Sequence, residues 1–178
     1  MIDEHSAVRH ITSNFSVDKL LKMCYDFYIK MIEGVTKSSK ETKKAGMVLG
    51  QALKREPLSN KAFIVALKGD LGSGKTTFIQ GLARGLKIKE NILSPTFVIQ
   101  KNFSLVLKNY KNFYHIDAYR LKNPDELLEL GFKELIRNPE NLIVIEWADK
   151  IKKILPRNIF KIEFINLGKN KRKIISNG

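Results

Sequence analysis

Cysteine is almost missing from this 178-residue chain: Cys24 stands alone, so no internal disulfide forms and a disulfide-stapled secreted scaffold is excluded. Long apolar runs are missing too. The longest, Ala62–Leu67 and Leu142–Ile145, fall far short of the roughly 20 residues that span a bilayer as a helix. The chain opens Met1-Ile2-Asp3-Glu4, acidic where a signal peptide is basic, and no apolar stretch follows. The expectation is a soluble, cytoplasmic protein with no membrane association. Acidic residues are few, 18 against 32 Lys and Arg, which leaves a formal charge of +14. Only seven of those cations are arginine, so forked readout of base edges is not indicated. The basic stretch 35–61 has no aromatic for stacking on bases, and 151–178 has only Phe160 and Phe164. There are no internal repeats, low-complexity tracts or long linkers. A hydrophobic content of 43% supports a real core and excludes wholesale disorder.

What is present has the rhythm of an α/β protein. Val17–Glu33 shows helical spacing of Leu20, Leu21, Tyr25, Tyr28, Ile29 and Ile32, with Gly34 as its stop. Ser39–Leu53 is a second helix capped by Ser38 or Ser39, and Ala62–Leu67 is a buried strand. Lys75–Leu86 is the next helix. Thr96–Gln100, Phe103–Leu107 and Phe113–Ile116 read as short strands, and Lys108–Asn112 as a turn. Pro124–Leu130 is a short helix, with Asn123 as cap, and Lys133–Arg137 a further turn. Leu142–Ile145 is a second fully apolar strand. Ile159–Ile165 alternates, and Lys173–Ile175 pairs with it across Gly168–Asn170. The pattern predicts a three-layer sandwich, with helices on both faces of a central, mostly parallel sheet.

One motif carries chemistry outright. Gly69-Asp70-Leu71-Gly72-Ser73-Gly74-Lys75-Thr76 matches G-x-x-x-x-G-K-[ST] at every fixed position, between a strand and a helix. Its glycines let backbone N–H groups turn inward onto phosphate oxygens at a helix N-terminus. Lys75 would reach the β- and γ-phosphates, and the Thr76 hydroxyl would bind Mg2+. Such a loop needs an acid at the end of another strand. Glu146 follows Leu142–Ile145, and Asp117 follows Phe113–Ile116; both strand ends would face the loop. No Asn-Lys-x-Asp box is present (Asn60-Lys61 runs into Ala62-Phe63), so ATP is the expected nucleotide. His115 reads as a core-edge histidine before a catalyst. Trp147 reads as packing or as a stacking surface, and Arg120 as a partner for phosphate charge or for a surface acid.

These pieces resemble the TsaE family. The resemblance rests on Gly69–Phe78, Ser94-Pro95-Thr96-Phe97, His115-Ile116-Asp117-Ala118-Tyr119-Arg120-Leu121, Glu126-Leu127 through Gly131, and Ile145-Glu146-Trp147. Ser38–Thr42 with Gly46, Leu155-Pro156 and the Gly168–Arg172 turn add to it, and together they cover about residues 35–175. The resemblance implies a P-loop ATPase that works with TsaB and TsaD in making threonylcarbamoyladenosine in tRNA. TsaD transfers the threonylcarbamoyl group, ATP hydrolysis supports turnover of the complex, and tRNA is met only through that complex. It implies that Asp70, Leu71, Gly72, Ser73, Gly74, Lys75, Thr76 and Thr77 hold the nucleotide, with Thr42, Thr96 and Arg172 nearby. Thr76 and Glu146 would ligate Mg2+, and Lys75, Asp117 and Glu146 would be catalytic. Thr96 would sit in a nucleotide-sensing loop, and residues around Val35–Thr42 would flank the adenine.

One departure is plain. Family members start near the Ser-x-x-Glu-Thr helix, whereas this chain has an extension before it. The expected organisation is therefore an N-terminal helical extension, 1–34, and a P-loop ATPase domain, 35–178. The extension, with Phe15, Leu20, Tyr25, Phe27 and Tyr28, would cover an apolar patch, self-associate or dock the partner complex. Two other readings stay open: a P-loop kinase for a small molecule or nucleotide, and a nucleic-acid-binding regulator with ATP as its switch. The kinase reading lacks an Arg-rich lid.

Overall fold

The computed structural model describes residues 32–55 and 57–177. Seven strands form one sheet: β1 Ile32–Thr36, β2 Phe63–Gly69, β3 Gln100–Ser104, β4 Asn112–Asp117, β5 Asn141–Glu146, β6 Phe160–Asn166 and β7 Arg172–Asn177. Their order is β1-β7-β6-β2-β5-β4-β3. The four central strands run parallel, and β3, β7 and β1 add antiparallel at the edges. Helices α1 (Ser39–Leu53) and α2 (Lys75–Gly85) pack on one face, against Val65, Leu67, Phe113, Leu142 and Val144. Helices α3 (Asp125–Glu129) and α4 (Phe132–Arg137), with the 3-10 turn Ala148–Ile151, cover the other, against Ile64, Ala66, Ile116, Ile143 and Ile145. Period-two alternation divides β2, β4 and β5 between two cores, whereas β6 turns Phe160, Ile162 and Phe164 to one core only, and every residue of β5 is buried. This is the three-layer α/β sandwich that the sequence predicts. Among the described residues no helix is long and apolar enough to cross a membrane.

Local chemistry sets the element ends. Ser38 caps α1, its Oγ accepting from the Glu41 N–H at 3.1 Å, while Glu41 Oε2 reaches back to the Lys37 N–H at 2.8 Å. Asn123 Oδ1 accepts from the Asp125 N–H, and Glu126 Oε1 from the N–H groups of Lys122 and Asn123, starting α3. The predicted pairing of the last two strands is present, with Glu163 opposite Ile175 and Phe164 opposite Ile174.

Several expectations need correction. Most of the predicted helix Val17–Glu33 lies outside the described residues, but its last two residues are strand, with Ile32 opposite Ser176 and Glu33 opposite Ile175. Gly34 pairs with Ile174, so the boundary expected between 34 and 35 falls inside β1. Of Thr96–Gln100 only Gln100 is strand, the first residue of β3: residues 96–98 turn, the Val98 N–H reaching Pro95 O at 2.9 Å, and Ile99 takes a left-handed φ of 62°. Phe97 and Val98 are apolar but exposed at 84% and 57%, so no ladder or core rewards extending them. The expected strand Phe103–Leu107 stops at Ser104, where Leu105 closes the hairpin onto Lys111 O. Lys133–Arg137 is helix, not an isolated turn.

Helices α1 and α2 touch backbone to backbone. A Cβ at Gly46 would lie 2.0 Å from Phe78 O, one at Gly50 2.2 Å from Leu82 O, and one at Gly81 1.9 Å from Lys43 O. Gly46→Ala therefore forces the helices apart and should lower stability by about 1–3 kcal/mol. Urea unfolding would read this as a lower midpoint at unchanged slope; an unchanged midpoint would show that the pair can separate freely.

Candidate functional site

The P-loop leaves β2 at Gly69 and enters α2 at Lys75. Gly72 and Gly74 hold left-handed φ values of 75° and 99°, which glycine adopts without the penalty of a Cβ. Gly74 caps α2 and accepts from the Phe78 N–H at 2.9 Å. The loop therefore aims the first N–H groups of α2 outward, the arrangement that receives an anion. Lys75 is only 4% exposed. Its Nζ donates to Gly69 O at 2.7 Å and Asp70 O at 2.9 Å, and lies 3.9 Å from the centroid of Trp147. Burial pushes the Lys75 amine below its usual range, opposed by the nearby carboxylates of Glu146 and Asp117.

The acids arrive from the sheet. β4 and β5 are parallel neighbours with Asp117 opposite Glu146, so both carboxylates stand at the carboxyl edge of the sheet. Glu146 Oε1 and Oε2 accept from the Thr76 hydroxyl at 3.0 and 2.9 Å, and Oε1 also meets His115 Nε2 at 2.9 Å. Asp117 is used differently. Its Oδ2 accepts from Ser94 Oγ at 2.5 Å and Thr96 Oγ1 at 2.6 Å, and its Oδ1 from the Tyr119 N–H at 2.9 Å. Asp117 thus ties the Ser94-Pro95-Thr96 segment to the end of β4.

A cleft of about 310 Å3 opens between these elements. It brings together the expected residues Leu71, Gly72, Gly74, Lys75, Thr76 and Thr77 with Thr96, Asp117, Glu146 and Arg172. Asp70 and Ser73 are in the loop but off the cleft wall; Asp70 contributes its carbonyl to Lys75. Thr42 is elsewhere, buried on α1 with its hydroxyl on Thr36 Oγ1 at 2.8 Å and Ser38 O at 3.1 Å. Arg120 stacks over Phe97, 4.4 Å from the ring centroid, and is not part of the wall. Ser94, Tyr119 and Trp147 complete the lining. Trp147 follows the acid of β5 in a left-handed turn (φ 59°), its ring 5.0 Å from that of Tyr119. Its adjacency to Glu146 was the sequence signal for its place here. His115 was readable as site-facing only through its two-residue offset from Asp117.

The donor set suits a polyphosphate with a hard cation. Ser73 Oγ and Arg172 Nε are buried without a partner beside the loop, and a Cβ at Gly74 would come within 2.6 Å of Arg172 Nε. Thr76 and Glu146 offer adjacent oxygens, which is what Mg2+ takes from protein when phosphates and water supply the rest. Among the described residues no group of three or more His, Cys, Asp or Glu side chains gathers as a metal site; this chemistry does not require one.

The family described as threonylcarbamoyl adenosine biosynthesis protein TsaE matches residues 36–174. This chain belongs to the TsaE family. The matched span holds every residue of the cleft wall, Arg172 included. A curated tRNA threonylcarbamoyladenosine biosynthesis protein TsaE from Rickettsia felis is 40% identical over 150 residues, 80% of this chain and 79% of its own length. The TsaE of Rickettsia prowazekii is 41% identical over 76% of this chain and 87% of its own. Among solved structures, the crystal structure of YdiB from Bacillus subtilis superposes with a TM-score of 0.64 at 28% identity, over 85% of this chain and 87% of that one.

The Asp117 tether makes a prediction of its own. Asp117→Ala removes an ionised acceptor shared by two hydroxyls and one amide, so the Ser94–Ile99 segment should open more readily. Hydrogen exchange at the Val98 and Tyr119 amides should quicken at least about tenfold, since hydrogen bonds to charged groups contribute about 1.5–3 kcal/mol each. Unchanged exchange there would mean that the segment is held by other contacts.

Proposed function

We propose that this chain binds ATP with Mg2+ in the cleft and hydrolyses it as an accessory subunit of the tRNA threonylcarbamoyladenosine machinery, in the cytoplasm, with TsaB and TsaD as partners. The observation that carries the reading is the Thr76 hydroxyl on both oxygens of Glu146, directly beside the Lys75 ammonium at the mouth of a G-x-x-x-x-G-K-T loop. The relatives' role in tRNA modification supports the pathway. On this reading the backbone of Asp70–Thr76 holds phosphate oxygens, and Lys75 exchanges its carbonyl partners for them. Arg172 adds a second cation beside Gly74. Thr76 and Glu146 would hold Mg2+, which, when bound, neutralises charge on the β- and γ-phosphates. Asp117 places Thr96 and Ser94 against the γ-phosphate end and keeps their loop closed until nucleotide rearranges it. tRNA is met through the partner proteins.

ATP turnover by the purified chain, alone and with TsaB plus TsaD of the same source, tests this. The pair should stimulate turnover, and Lys75→Ala should lower it by at least about a hundredfold, as expected for removing a charge that stabilises the transition state. Tight Mg-ATP binding with no effect of the pair would overturn the pathway assignment. Phosphorylation of a small acceptor in its place would establish the kinase reading.

A further inference from the structure

On β4 two polar side chains are buried, Asp117 in the cleft wall and His115 one step beneath it against Glu146. Phe113, His115 and Asp117 follow one another at two-residue spacing, as Leu142, Val144 and Glu146 do on β5, and Phe113, Leu142 and Val144 all lie in the core under α1 and α2. His115 is 0% exposed. Its Nε2 meets Glu146 Oε1 at 2.9 Å, while its Nδ1 is buried without a partner. With nothing near Nδ1 to accept a proton, the N–H of the ring is the one on Nε2, donated to the carboxylate. An apolar side chain would fill this place without stranding Nδ1, as Phe113 does one step earlier. What histidine adds is a single donor aimed at one oxygen.

That donor matters because of what Glu146 otherwise has. Its other side-chain partner is the Thr76 hydroxyl, which reaches both oxygens. Thr76 and Glu146 are also the two groups read above as holding Mg2+, so Thr76 cannot fix the carboxylate once both turn to a cation. We propose that His115 is a positioning residue that pins Oε1 of Glu146 from beneath, so that Oε2 stays turned toward Thr76 and the metal. The inference rests on the reading of Thr76 and Glu146 as Mg2+ ligands. Partners of this kind behind a ligating group are commonly worth 10–100-fold in metal affinity.

The test uses the full chain and a fluorescent N-methylanthraniloyl-ATP, titrating Mg2+ and reading nucleotide affinity. His115→Met removes the donor at similar side-chain length, and His115→Gln keeps an N–H at nearly the same reach. His115→Phe supplies a second donor-free variant of different shape, so the outcome does not hang on one packing; melting curves confirm that each is folded. The Mg2+ concentration for half-maximal effect should rise about 10- to 100-fold in the Met and Phe variants and return to within about threefold of wild type in the Gln variant. In a Glu146→Ala background, His115→Met should cause no further change. Wild-type Mg2+ dependence in folded donor-free variants overturns the positioning role alone, as does a loss that adds fully to Glu146→Ala. A wild-type chain that binds no nucleotide at all overturns the nucleotide reading, and this inference with it.

Discussion

Besides His115, three ionisable groups are buried where the P-loop meets the carboxyl edge of the sheet: Lys75, Asp117 and Glu146 are 4%, 1% and 3% exposed. Removing charges from water is strongly unfavourable unless partners replace the solvent, and the rest of the site follows from meeting that demand. Lys75 is answered by two carbonyls of its own loop and the face of Trp147. Glu146 is answered by Thr76 and His115, and Asp117 by Ser94, Thr96 and the Tyr119 amide. The partners come from several stretches of chain. The charges therefore bind the P-loop, the Ser94-Pro95-Thr96 segment and the ends of β4 and β5 into one unit before any ligand is involved.

The apolar part of the fold was legible because burial is periodic. Ala62–Leu67 and Leu142–Ile145 have no polar residue to offer water, and both became central parallel strands. The P-loop was legible because its glycines and Lys-Thr pair serve one backbone shape. The stretch 96–107 misled because Phe97, Val98 and Val106 look like strand residues; they stand exposed, since partners distant in sequence decide what pairs. β1 misled in the same way. Ile32 and Glu33 sit at the end of a helical pattern, and only β7, far along the chain, supplies the ladder that makes them strand.

Within the site, roles were less legible than membership. Ten of the expected residues share the cleft wall, yet Asp117 and Glu146 look equivalent in sequence, each an acid after a strand. What separates them is the hydroxyl that each receives: Thr76 from the P-loop helix for one, Ser94 and Thr96 from the neighbouring loop for the other. Thr42 fell outside because its hydroxyl is spent inside the chain, on Thr36 and Ser38. Spacing says which residues share a face, but not which neighbour satisfies them.

The glycine contacts between α1 and α2 reach beyond stability. Where side chains form the layer between two helices, the helices can slide past one another by small shear movements. Here Gly46, Gly50, Gly81 and Gly85 leave no such layer, and carbonyls of each helix rest against the other's backbone. The pair is mechanically a single beam. The start of α2 carries Lys75 and Thr76, and the first turn of α1 carries the exposed Lys40. A displacement that a bound phosphate imposes on the start of α2 would therefore carry α1 along with it.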